Sequence, residues 1–126
     1  MATIQFPVLG VDDLDRAVRF WCALLDLQPS DKHRSARWCT LEDRDNAVLG
    51  LQLSTTPVQP RPRMHLDVAV HGVEDQQATA ARVRELGGQV VDWDQWPEDP
   101  DFIVVADTEG NRFCLVDVDH VDHVDR

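Results

Sequence analysis

Apolar residues fall at every second position in Met64, Leu66, Val68 and Val70, with His65, Asp67 and Ala69 between them. That period of two predicts a strand over 63–71 with one core face and one face carrying polar chemistry. A period near 3.6 replaces it in two other stretches. Leu14, Ala17, Val18, Trp21, Leu24 and Leu25 recur at helical spacing behind Asp12 or Asp13, either of which supplies an N-cap. This first helix is expected to end near Leu27, before Pro29, and its Phe20 and Trp21 are read as core or interface residues. A second helix follows Gly72, with Val73, Ala80, Val83 and Leu86 among its apolar positions, and stops at Gly87-Gly88.

The remaining stretches read as strands and turns. A strand is expected over 4–11, with Pro7 at a sheet edge or on the unpaired side because it cannot donate a ladder hydrogen bond. The polar stretch 28–36 is a short strand or a loop, with Lys32-His33-Arg34 solvated. Strands over 37–41 and 47–53 flank a charged turn, 42–46, and Leu49, Leu51 and Leu53 share one face. Further strands are expected over 89–93, 102–106 and 112–118. A Pro-containing acidic loop occupies 94–101, and 107–111 is a tight turn in which Gly110 is free to take positive φ. Thr55 to Pro62 carries Pro57, Pro60 and Pro62 and separates two halves. The order strand, helix, strands therefore occurs twice. The expected fold is α+β: two βαβββ modules, 3–54 and 63–118, forming a curved, mostly antiparallel sheet around a cavity, with the helices on the outer face. Residues 55–62 link them, 119–126 form an acidic tail, and the whole is one domain, 1–126.

Composition narrows the partners. The 126 residues carry a formal net charge of −11, which repels nucleic acid and anionic membrane surfaces. Neither partner is expected; a small-molecule ligand is. Cys22, Cys39 and Cys114 are odd in number and widely spaced, which fits a reducing cytoplasm better than a disulfide framework. The N-terminus lacks a basic then apolar leader pattern, and no apolar run approaches the ~20 residues that span a bilayer. In the tail, His120 and His123 are read as solvated, a metal chelate being the alternative.

Several of these pieces together resemble a known group. They are Val11-Asp12-Asp13-Leu14-Asp15-Arg16-Ala17 with Phe20-Trp21 and Leu24-Leu25-Asp26-Leu27, then His65-Leu66-Asp67-Val68, then Leu86-Gly87-Gly88, then Asp107-Thr108-Glu109-Gly110-Asn111-Arg112-Phe113-Cys114-Leu115. In this order they resemble the vicinal oxygen chelate superfamily of glyoxalases, bleomycin-resistance proteins and extradiol dioxygenases, closest to its small glyoxalase-like branch. The resemblance implies paired βαβββ modules and a homodimer. It also implies that metal-using members place ligands at positions corresponding to Phe6, Gly50 or its same-face neighbour Gln52, His65 and Cys114. Of these only His65 is a familiar ligand; Phe6 cannot coordinate and Gly50 has no side chain. A catalytic divalent site needs about three protein ligands, so no metal or other cofactor is expected. The alternative is an unorthodox zinc or iron site of His65, Asp67 and Cys114.

Two functions from different classes stay open. In the first, the chain binds a drug or metabolite without the usual metal tetrad. Phe6, Trp38, Gln52, Trp93, Trp96, Phe102 and Cys114 are the candidate ligand-binding residues, and the acidic loop beside Trp93 and Trp96 would attract a cationic ligand. In the second, the chain is a lyase, isomerase or hydrolase in which His65 with Asp67 is the catalytic pair, the carboxylate fixing the imidazole tautomer.

Overall fold

The computed structural model describes residues 1–120. The tail reading for 121–126, His123 included, lies outside the described residues. The chain divides into one compact unit at Met1–Pro57 and a second from Val58 onward.

In unit 1, β1 (Val8–Val11) leads into α1 (Leu14–Leu25), followed by β2 (Gln28–Arg34), β3 (Trp38–Asp43) and β4 (Asn46–Leu53). The sheet order is β1-β4-β3-β2, with β1 parallel to β4 and the other pairs antiparallel. Asp13 caps α1, its carboxylate accepting the Arg16 N–H at 3.0 Å, and Asp26 ends the helix in the left-handed region at φ 54°. The helix buries Ala17, Phe20 and Trp21, the two rings meeting edge to face at 5.2 Å, while Leu41, Leu49 and Leu51 are buried from the sheet. β1 is shorter than the 4–11 expected, because Pro7 offers only its carbonyl, which accepts from Gly50 N–H at 2.9 Å. The polar stretch resolves as a strand, β2, held at the sheet edge by pairing to β3 rather than by an apolar face. The β3–β4 turn is tighter than expected: Asp43 pairs with Asn46, and Arg44 takes positive φ between them.

Unit 2 repeats the plan with β5 (Asp67–Val70), α2 (Val73–Glu85), β6 (Gln89–Val90), β7 (Phe102–Ala106) and β8 (Arg112–Asp117), in the order β5-β8-β7-β6. β5 runs parallel to β8, and the remaining pairs are antiparallel. α2 buries Ala80 and Val83, but Val73, an expected apolar position, stands exposed at its first residue. Gln76 is buried too, its amide donating to the carbonyls of Asp101 and Leu115 at 3.0 Å each. The β7–β8 turn is built on Asp107, whose carboxylate accepts the N–H groups of Glu109 (2.9 Å) and Asn111 (2.8 Å), with Gly110 at φ 87°. Each unit is thus one helix on one four-stranded mixed sheet, an α+β arrangement. No helix among the described residues is long and apolar enough to cross a membrane.

Candidate functional site

The strand expected over 63–71 begins only at Asp67, and Met64, an expected core position, is 81% exposed. From Leu66 onward the alternation holds, with Val70 buried and His65, Asp67 and Ala69 on the exposed side. Asp67 is the register partner of Cys114 on β8, and Cys114 of Val104 on β7. The Cys114 N–H also donates to Leu66 O at 3.0 Å, tying the two strands together beside the site. His65 Nε2 lies 3.1 Å from the Asp67 carboxylate, both side chains half exposed. Because strand side chains alternate, this row puts an imidazole, a carboxylate and a thiol on the sheet face opposite α2.

The same face continues into an apolar wall. Phe102, Val104, Cys114 and Val116 form a buried cluster against which Val91 and Trp93 pack. Above it lies a hollow of about 560 Å³, with His65, Asp67 and Cys114 at one part of its lining and Trp93, Phe102 and Val104 at another. Arg61, Pro62, Gln95, Arg112 and Phe113 complete the lining. Of the sequence candidates, then, the structure brings His65, Asp67, Trp93, Phe102 and Cys114 to one hollow in unit 2. Trp96 is not in that lining; it stacks on Phe102 at 5.1 Å.

The lining residues that sequence reasoning missed include Arg112, whose Nε is buried without a hydrogen-bond partner while another of its nitrogens donates to Gly110 O at 2.8 Å. Its signal was available: it lies two residues before Cys114, hence on the same strand face. In the acidic loop Asp94 pairs with Arg61, and Asp99 with His120.

Phe6, Trp38 and Gln52 belong to unit 1. Trp38 is the register partner of Gln52, and its indole N–H donates to Thr40 Oγ1 at 2.8 Å, which lays the ring across Gly50. The Phe6 ring lies 6.2 Å from that indole. A Cβ placed on Gly50 would meet Trp38 at 2.7 Å and Phe6 at 2.8 Å, so two rings fill the space over Gly50. A side chain at Gly50 has no room there, and Phe6 offers no donor atom.

Paired units of this topology, with a hollow on the sheet face opposite the helix, define a glyoxalase-type fold. The model of the glyoxalase-like domain family matches residues 7–116, and the chain belongs to that family, within the vicinal oxygen chelate superfamily. Among solved structures it is similar to a possible glyoxalase from Bacillus cereus, at 19% identity and TM-score 0.69 over 92% of this chain and 99% of that one. It is similar to a glyoxalase/bleomycin resistance protein/dioxygenase family enzyme from Burkholderia phytofirmans, at 14% identity and TM-score 0.72 over 93% and 99%. A genomically encoded fosfomycin resistance protein from Listeria monocytogenes, complexed with Mn(II) and 1S,2S-dihydroxypropylphosphonic acid, matches at 14% identity and TM-score 0.70 over 92% and 90%. No curated protein matches the chain.

Proposed function

We propose that the chain is a small-molecule-binding protein of the glyoxalase/bleomycin-resistance type, without the superfamily's usual metal tetrad, and that its drug or metabolite ligand occupies the unit 2 hollow. The observation that carries this is the pairing of an apolar wall, Trp93, Phe102 and Val104, with a polar end at His65 and Asp67 in a space of about 560 Å³. That size and that mix of an apolar body with few polar groups are what small organic ligands require. The ligand that fits has an aromatic or apolar body and a hydrogen-bonding end directed at His65 and Asp67. A panel of aromatic compounds, neutral and of either charge, is screened by thermal shift, and a binder raises the melting temperature. Phe102→Ala then weakens the best binder by roughly tenfold, the effect of removing a buried aromatic contact. Binding unchanged in Phe102→Ala and in Trp93→Ala places the ligand elsewhere and sinks the reading.

A second reading is favoured by the 3.1 Å contact of His65 Nε2 with Asp67. With Asp67 accepting the Nε2–H, Nδ1 is left to take a proton from a bound compound, which suits a lyase, isomerase or hydrolase. Turnover of any binder, lost by ~10²-fold or more in His65→Gln, supports it; binding without turnover supports the first reading. The family resemblance supports a homodimer, which sedimentation equilibrium tests. The three unbridged cysteines support a reducing cytoplasm.

A further inference from the structure

One ligand atom from each of His65, Asp67 and Cys114 lies within 4.8 Å of the other two. The sheet makes this convergence: Asp67 and Cys114 are directly opposed in the parallel β5–β8 pair, and His65 reaches the same carboxylate from two residues upstream. We propose that unit 2 by itself binds one divalent transition-metal ion of the zinc class through His65, Asp67 and Cys114, with the fourth coordination position open to the hollow. This set is not the four-position one implied by the resemblance: Asp67 is no part of that set, and every donor here lies in unit 2.

The geometry and the donor chemistry agree. At zinc–ligand bond lengths a tetrahedral ion holds its donors roughly 3.3–3.7 Å apart. The His65–Asp67 separation of 3.1 Å needs only slight opening, and the widest separation, at most 4.8 Å, closes by about 1 Å with a small turn of a side chain. Imidazole, carboxylate and thiolate together select zinc, iron(II) or cobalt(II) over magnesium and calcium, which prefer all-oxygen sites. A divalent ion exactly offsets the carboxylate and thiolate charges, so Cys114, 8% exposed, can ionise beside apolar neighbours when the metal arrives. Binding releases the thiol proton to solvent. Three protein ligands and one open position form the pattern of sites that also bind an exogenous ligand. The proposal shares the hollow with the small-molecule reading but not its test, because the titration contains no organic compound.

The full chain, purified without a polyhistidine tag and stripped with a chelator, is titrated with cobalt(II) and followed by absorption spectroscopy. One equivalent produces a thiolate-to-cobalt charge-transfer band in the near ultraviolet, and zinc displaces it. The band is abolished in Cys114→Ser and kept in Cys22→Ser and Cys39→Ser. His65→Ala and Asp67→Asn each weaken zinc by roughly tenfold or more, while far-ultraviolet circular dichroism shows them folded. In the unmutated chain, zinc protects Cys114 from alkylation as read by mass spectrometry, which serves if Cys114→Ser does not fold. No saturable band, a band that survives Cys114→Ser, or alkylation of Cys114 unaffected by zinc overturns the proposal.

Discussion

The Asp117 carboxylate accepts the backbone N–H of Gly72 at 2.8 Å, so the last strand of unit 2 is tied to the residue at which α2 begins. The same carboxylate oxygen accepts a second bond from the Asp119 N–H at 3.0 Å.

These bonds hold the Asp117 carboxyl below its ordinary 3.8, the Gly72 N–H first among the causes. A carboxyl whose folded value is depressed stabilises the fold fully above its unfolded value and loses that contribution as pH falls through the folded one. Asp117→Asn therefore melts at a lower temperature than the unmutated chain at pH 7, and the gap narrows as the pH is taken below 3.8. A gap that does not change with pH would assign the effect to shape rather than charge.

Burial, with a smaller push from Cys39, raises the Cys22 thiol from 9.0 to about 11. Two pH units mean about a hundredfold less thiolate at pH 8. Native Cys22 should therefore react with a disulfide reagent about a hundredfold more slowly than a free thiol, and reach the free rate in denaturant. Stopped-flow thiol titration, with Cys39 and Cys114 each replaced by serine, measures it.

Gly50→Ala forces a Cβ to within 2.7 Å of the Trp38 ring, which the Thr40 hydroxyl holds in place. Overpacking of this kind costs about 1–3 kcal/mol. Urea unfolding should show that loss, and near-ultraviolet circular dichroism a changed tryptophan signal; an unaltered spectrum would mean that the rings do not cover Gly50.

Gln76→Leu leaves the carbonyls of Asp101 and Leu115 without the amide that now serves both. Asp101 O still accepts the Asp117 N–H at 2.7 Å, so the loss is that of the two hydrogen bonds, about 0.5–1.5 kcal/mol for each, read as a drop in the urea midpoint. A variant as stable as the parent would show that water takes over both carbonyls.

How far the sequence foretold all this depended on whether a side chain's own period or its neighbour decided the structure. α1 follows from its 3.6-residue pattern and from Asp13, and β7 occupies 102–106 as expected, since apolar burial fixes both locally. The strand over 63–71 was too long because a strand ends where its ladder does. β8 starts at Arg112, just after the Asp107 turn, so little of it is available to pair upstream of Asp67. Gln76 gave no signal, because its partners are backbone carbonyls on distant strands. For the candidate site, His65, Asp67 and Cys114 were each visible, but their convergence depends on a parallel register that no local pattern encodes.

In unit 2 the opening strand has a single neighbour in the sheet, and that neighbour is the closing strand. A chain lengthening from its N-terminus thus carries Asp67 with nothing opposite it until Cys114 has been made. The parallel pairing closes the longest loop of the unit. The three donor side chains therefore meet only when both ends of the unit are present, and a chain cut short anywhere before Cys114 lacks one of them outright.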